Sequence, residues 1–477
     1  MTPPDPRLDE FLLLLRDAQV KLDAGFARLP ASPPPALGEA AAAILGEAAD
    51  RLHDSDPYAH PLYAGQMLKP PHPIARAAYA LAMSVNPNNH ALDGGRASSA
   101  MELEVVAALA AMFGWTGSPD RPGHLGHLTS SGTFANLEAL WISGHLAREQ
   151  GSALAVAASD QAHYTHARIS GVLGLPFVSI PSDDSGRMDL GALEDALQTH
   201  EIGTVVATLG TTAVGAVDPL DRILELRKKH RFRIHVDAAY GGYFTLTANL
   251  APETRAAFDA VTHADSIVVD PHKHGLQPYG CGSILFRDPA VGRFYKHDSP
   301  YTYFTSKELH LGEISLECSR AGASAVALWA TQKLLPYVTG GEFARGLEAG
   351  REAALDLHRR LAADPRVAVP LAPPELDIVF WIPRAGSPLE SSALAQAIFD
   401  EARHRDLYLA LAKLPVRFFP AETWRAQSGE LVTCLRSVLM KPEHSAWIPE
   451  IWARLDAATS AALTTMNGTT TRGAVTP

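Results

Sequence analysis

A lysine flanked by two histidines, in Asp270-Pro271-His272-Lys273-His274-Gly275, closes the apolar run Ser266–Val269. An ammonium at the mouth of a buried strand needs a partner, and a desolvated lysine is what condensation with a carbonyl requires. Thirty-six positions earlier (237 to 273), a second β-branched run ends in Asp237 and continues as Ala238-Ala239-Tyr240-Gly241-Gly242. A carboxylate there is costly unless a cation or strong donor meets it. The small residues behind it let a flat group lie against the backbone.

Two further loops carry polar groups. Ser130-Ser131-Gly132-Thr133 leads into the apolar pattern of a helix; free N–H groups and hydroxyls at a helix start suit a phosphate, although ordinary capping gives the same residues. His163 follows the run ALAVAAS. Alone it reads as a hydrogen-bonded loop histidine, and with His166 it could share a helix face as a metal ligand, but no acidic third ligand stands at a recognisable spacing. Together the four loops call for a ligand with a phosphate, a flat ring, a basic ring nitrogen and an aldehyde, which is pyridoxal 5′-phosphate. The phosphate falls to Gly132 and Thr133, the ring to His163 and Ala239, the ring nitrogen to Asp237 and the aldehyde to Lys273. A zinc site on Asp270, His272 and His274 would leave Asp237 and Lys273 unexplained.

These residues need strands to carry them. HLGHLTS, ALAVAAS, PFVSIPS, TVVATLG, RIHVDAA and DSIVVDP are short apolar runs alternating with helical patterns. That pattern predicts a parallel sheet covered on both faces, with ligands beyond the carboxyl ends of its strands. Residues 1–85 read as helices with apolar faces (Leu8, Leu12, Leu15, Leu22 and Phe26 in the first) and suit packing in a dimer. A large cofactor-binding domain is expected over 86–340, a small α+β domain over 341–462 with strands DIVFWIP and VTCLRSVLM, and a disordered tail over 463–477.

Composition narrows the partners. With 41 basic and 52 acidic residues the net charge is −11, which disfavours nucleic acid and anionic membranes. Cys281, Cys318 and Cys434 are scattered without a CxxC pair, as in a reducing compartment. The first residues carry only five consecutive apolar side chains between acids and arginine, so neither a secretory signal nor a membrane span is expected, and the cytoplasm is the default.

Through SSGTFANL, DQAHYTHARISGVLG, VATLGTTAVGAVDPL, HVDAAYGG and DPHKHG, in that order, the chain resembles the pyridoxal-phosphate-dependent group II amino-acid decarboxylases, over roughly 61–456. The resemblance implies the aminotransferase-like fold type I, an α/β architecture. Its large domain holds a mostly parallel seven-stranded sheet, and a smaller C-terminal α+β domain follows. It also implies a homodimer with active sites at the interface. By position, Lys273 corresponds to the lysine that binds the cofactor, Asp237 to the pyridine-nitrogen partner and His163 to the histidine on the ring. Ala239 corresponds to the residue on the other face, Gly132 and Thr133 to the phosphate binders and Thr212 to a threonine near the cofactor, while His272 precedes the lysine as in the family. Two positions depart from it: Asp270 stands where many members have asparagine, and His274-Gly275 where many have a bulky residue.

The implied activity is decarboxylation of an L-amino acid to its amine and CO₂. In the family a loop tyrosine delivers the proton; Tyr303 is preferred here over Tyr301, with simple packing of the loop as the other reading. Arg320 corresponds to an arginine that holds substrate or orients that loop, with pairing to Glu317 or Glu313 as the structural alternative. Residues 88–99 correspond to a pocket wall that the partner subunit contributes, where Arg96 suits an acidic substrate and His90 an aromatic one. An aromatic L-amino acid is preferred over glutamate or aspartate. The alternatives are a cofactor-dependent aldehyde synthase or aminotransferase-like enzyme, and a non-catalytic, cofactor-binding regulatory homologue.

Overall fold

The structure is a computed structural model that describes residues 6–30, 37–90, 92–117, 123–296, 315–425 and 429–472. Helices α1 (Pro6–Gly25), α2 (Ala41–Leu52), α3 (Pro73–Met83) and α4 (Leu92–Met112) precede the first strand. Then come β1 (Leu125–Thr129), α5 (Gly132–Gln150), β2 (Ala155–Ser159), α6 (Thr165–Leu173), β3 (Phe177–Ile180), α7 (Leu190–Thr199) and β4 (Ile202–Thr208). The large sheet is completed through α8 (Leu220–Lys229), β5 (Arg233–Asp237), α9 (Pro252–Asp259), β6 (Ser266–Val269) and β7 (Gly282–Phe286).

The seven strands lie in the order β1-β7-β6-β5-β4-β2-β3. β7 is antiparallel to both its neighbours, and the other pairs are parallel. The six apolar runs expected from the sequence form β1 to β6, and β7 supplies the seventh strand of the implied sheet. β7 enters as a return strand, slotted between β1 and β6, so the carboxyl ends of all the others reach one edge.

Both faces of the sheet are covered, which is why its strands read as continuous apolar runs. Along β6, Ile267 and Val269 join the core beneath Val105, Leu109 and Ala110 of α4. Val268 points the other way, to Ala135, Ala139, Ile142 and Leu146 of α5. Those four recur at helical spacing and form the buried stripe of α5. Ile142 and Leu146, at 0% and 6% exposure, each contribute about 1.5–3 kcal/mol through burial.

Downstream, α10 (Gly322–Leu334) and α11 (Glu342–Ala362) lead to β8 (Val367–Ala368), β9 (Ile378–Pro383), α12 (Pro388–Arg403), β10 (Ala410–Pro415), β11 (Leu431–Val438) and α13 (His444–Arg472). The strands form an antiparallel sheet, β10-β11-β9-β8, so β8 and β10 join the two strands read from the sequence. The tail expected to be disordered from 463 is instead helical as far as Arg472. α13 is docked through Ile451, Leu455, Ala458 and Ala462, and once a helix is nucleated each further residue adds a hydrogen bond at small cost even for threonine.

α1 and α2 leave much apolar surface in solvent: Leu8, Leu12, Leu14, Ile44, Leu45 and Leu52 are all exposed, and no side chain of α2 is buried. Among the described residues no helix is long and apolar enough to cross a membrane.

Candidate active site

Five strands deliver their following loops to one edge of the large sheet, and a cavity of about 180 Å³ opens there. Ser131, Gly132 and Thr133 come from the end of β1, His163 from β2, Gly210 and Thr212 from β4, Asp237 and Ala239 from β5, and Asp270, His272 and Lys273 from β6. The register sets Thr208 of β4 beside Asp237, which stands beside Val268 of β6.

Ser131 caps α5, its hydroxyl accepting from the Phe134 N–H at 3.3 Å. The N–H groups of Gly132 and Thr133 have no acceptor among the described residues, and both residues line the cavity at the positive end of a helix. A Cβ on Gly132 would lie 2.6 Å from Asp270 Oδ2 and 2.7 Å from Oδ1, so only glycine allows the helix start to approach the β6 loop this closely.

Lys273 Nζ lies 3.1 Å from Asp270 Oδ2, and His272 Nε2 lies 3.5 Å from the same oxygen. The anion at Asp270 is thus met by a lysine, while its Oδ1 is buried with no hydrogen-bond partner among the described residues. His272 Nδ1 donates to the Cys281 carbonyl at 2.7 Å, and burial lowers the pKa of its imidazole below the ordinary value. The two imidazoles beside Lys273 part company. His274 is 1% exposed and turns into the core against Tyr240 and Phe244, with Nε2 3.3 Å from Asp377 Oδ2. Of the two histidines that flank Lys273 only His272 stays at the cavity, and His274 cannot join His272 and Asp270 on one metal. Gly275 permits the sharp turn, since a Cβ there would meet Tyr243 Oη at 2.5 Å.

Asp237 is 5% exposed. Burial alone would raise its pKa, but the hydrogen bond from His166 outweighs that, aided by the Lys273 ammonium, and holds the carboxyl well below the usual range. His166 Nε2 donates to Oδ2 at 2.8 Å and Asn136 Nδ2 to the same oxygen at 3.3 Å. Sequence reasoning misses both His166 and Asn136 as partners of Asp237. The only signals for them are a histidine three residues after His163 and an amide four residues after Gly132 on the same face of α5. His163 Nδ1 is 2.6 Å from Thr165 Oγ1, and burial pulls its pKa down, which favours an uncharged ring face over the cavity.

The other candidates are not among the described residues that line this cavity. Among the described residues Arg320 neither lines this cavity nor pairs with Glu317. Its Nη1 lies 2.5 Å from Glu102 Oε1 and donates to the Leu128 carbonyl at 2.8 Å, and its Nη2 donates to the Asn89 carbonyl at 3.1 Å. Glu317 instead accepts from the Ser130 N–H at 2.8 Å. Glu313 lies outside the described residues. His90 and Arg96 do not line the cavity, and Arg96 is exposed. Tyr301 and Tyr303 lie outside the described residues; on either side of that stretch the Tyr295 hydroxyl (2.8 Å) and the Leu316 N–H (3.4 Å) donate to the buried carboxylate of Glu138.

A sheet-edge lysine, a buried and hydrogen-bonded carboxylate, an imidazole, a small alanine and an open helix start on one cavity wall match what pyridoxal phosphate demands of a protein. They define a fold-type-I, aminotransferase-like pyridoxal-phosphate enzyme. Solved structures of this architecture overlie nearly the whole chain: Oryza sativa TDC with PLP and tryptamine has a TM-score of 0.75 at 19% identity, covering 97% of this chain and 99% of that one. Mouse CSAD has a TM-score of 0.74 at 21% identity, covering 95% and 99%.

Residues 52–383 match the pyridoxal-dependent decarboxylase conserved domain, and the chain belongs to that family of carboxy-lyases. The L-tyrosine decarboxylase of Enterococcus faecium is 27% identical over 84% of this chain and 85% of its own length. The L-2,4-diaminobutyrate decarboxylase of Acinetobacter baumannii is 28% identical over 72% and 71%.

Proposed function

We propose that this protein decarboxylates an aromatic L-amino acid to its amine and CO₂, with Lys273, Asp237, His163, Ala239, Gly132 and Thr133 as the working set. The observation that carries the reading is their convergence on one cavity at the strand ends. When bound, pyridoxal phosphate supplies an aldehyde that condenses with amines and a cationic ring that draws in the electron pair left as CO₂ departs. The free N–H groups of Gly132 and Thr133 hold the phosphate. His163 and the Ala239 methyl clamp the ring faces, and Thr212 lies on the cavity wall beside them. Asp237 keeps a proton on the ring nitrogen. Lys273 would hold the cofactor through its amine, and Asp270 receives the Lys273 ammonium, with His272 behind it. Tyr303, or Tyr301, delivers the proton to Cα after CO₂ has gone.

The aromatic preference is supported by the relative named L-tyrosine decarboxylase, while relatives named for diaminobutyrate and for tyrosine or aspartate keep other side chains in view. The exposed apolar surface of α1 and α2 fits a homodimer, with residues 1–85 packed against the partner. Arg96 and His90, away from the cavity of their own chain, would then reach the partner's site.

Borohydride reduction and peptide mapping of the cofactor-loaded enzyme is expected to find the pyridoxyl group on Lys273, and an unmodified Lys273 would sink the assignment. Lys273→Ala is expected to abolish turnover while the fold is kept. Assays of CO₂ and amine across the amino acids identify the substrate. Aldehyde with hydrogen peroxide in place of stoichiometric amine would instead indicate an aldehyde synthase.

A further inference from the structure

A carboxylate can hold a proton on a ring nitrogen only if it is ionised and aimed, and Asp237 is aimed by groups from three elements. Its Oδ1 accepts the Ala239 N–H at 3.1 Å, from its own loop. Its Oδ2 accepts from Asn136 of α5 and, more closely, from His166 of α6, at 3.3 and 2.8 Å.

Both donors have their hydrogens assigned by what lies behind them. Asn136 turns its amide nitrogen to Asp237, so its Oδ1 accepts from His235 Nε2 at 2.7 Å, and His235 Nδ1 accepts from the Ser266 hydroxyl at 2.9 Å. Burial pushes the pKa of His235 down to about 3, so this ring stays uncharged and the chain Ser266–His235–Asn136–Asp237 runs in one direction. His166 is 0% exposed, and its Nδ1 has no partner among the described residues. A hydrogen on Nδ1 would be a buried, unmet donor, which puts the imidazole proton on Nε2, against Asp237.

We infer that His166 is a positioning residue for the cofactor's ring nitrogen: its Nε2–H fixes Asp237 as an ionised acceptor pointing into the cavity. α6 begins at Thr165, between His163 and His166. The start of one helix therefore sets both the imidazole over the ring face and the donor behind the ring-nitrogen carboxylate, and it couples their positions. Without His166, Asp237 keeps only the Ala239 N–H and the longer Asn136 bond, and burial then favours its protonated form. A protonated Asp237 can no longer stabilise a proton on the ring.

The inference rests on the reading of Asp237 given above, and the test separates the two. Replacing His166 with phenylalanine fills the space without a donor. His166→Phe is expected to raise the dissociation constant for pyridoxal phosphate, followed by absorbance, by about tenfold or more, and to lower kcat by about as much, the scale usual for a group that orients a first contact. KM for substrate is expected to change by less than about threefold, and the pH titration of the visible band of the bound cofactor is expected to move. His166→Gln, which can present a donor at similar reach, is expected to recover affinity and spectrum, and the shorter His166→Asn is not. Wild-type cofactor affinity and kcat in His166→Phe, with Asp237→Asn impaired in parallel, would overturn the inference. An unimpaired Asp237→Asn would overturn the reading of the site itself. Should His166→Phe fail to fold, the Gln and Asn variants decide, and equal behaviour of those two counts against the role.

Discussion

Replacing Arg320 with methionine separates two jobs that the same residue could do. The guanidinium sits 2.5 Å from Glu102, with side-chain exposures of 7% and 1%, and it also closes the Leu128 and Asn89 carbonyls. Methionine keeps most of the stem but strands a buried carboxylate, and breaking a buried pair from one side costs about 3–5 kcal/mol. Glu102 keeps the Leu128 N–H at 2.9 Å and the Asn89 amide at 2.6 Å, which places the expectation at the lower end of that range. At about 2.1 cal/mol/K of unfolding entropy per residue over a chain of this length, the loss amounts to a fall in Tm of about 3 °C. The assay is scanning calorimetry of the apoenzyme together with steady-state kinetics of the holoenzyme. Because the cost comes from the stranded charge, the double variant Arg320→Met, Glu102→Gln is expected to lose clearly less than the two single variants combined. A Tm unchanged within about 1 °C, together with a KM raised tenfold or more, would refute the argument and return Arg320 to the substrate.

Gly132→Ala drives a methyl group to 2.6 Å from the Asp270 carboxylate, so the first turn of α5 must back away; cofactor affinity is expected to fall at least about tenfold, and an unchanged dissociation constant would contradict the close approach. His444 is fully buried and its pKa is lowered by burial to about 3, whereas in the unfolded chain it titrates near the ordinary 6.5. Between those values the unfolded state gains a proton that the folded state refuses, so stability falls as pH drops from 6.5 towards 3. Relative to His444→Leu, the wild type should lose up to about 1.4 kcal/mol per pH unit in that window and nothing above it, as read from denaturant midpoints; parallel pH profiles would exclude the effect. Ile44→Glu with Leu45→Glu puts charge on exposed apolar positions of α2 and is expected to shift a dimer towards monomer in sedimentation, whereas an unaltered dimer would rule this surface out of the interface.

Much of the active centre is legible in the order of residues, and for a local reason. Asp237 closes one apolar run and Lys273 follows another by four residues, and a buried strand that runs into charge announces itself within a few residues. The helix start at Gly132 and the small residues after Asp237 are local signals of the same kind. β1 to β6 are legible because a sheet covered on both faces leaves uninterrupted apolar stretches. The end of α13 is not, because threonine-rich polarity looks like a loop when the docking of the preceding turns is out of sight.

Residue type and neighbourhood in the chain are therefore enough to say which groups gather, and at which edge of the sheet. They cannot say which groups face one another. Arg320 finds Glu102 across 218 positions, Asp237 finds His166 across 71, and His274 turns from the cavity into the core although it is bonded to Lys273. Such pairings depend on strand order, register and the packing of α4, α5 and α6 against the sheet. Periodicity carries information over a turn or two of chain, whereas a buried charge is matched by whichever donor the folded interior brings within about 3 Å.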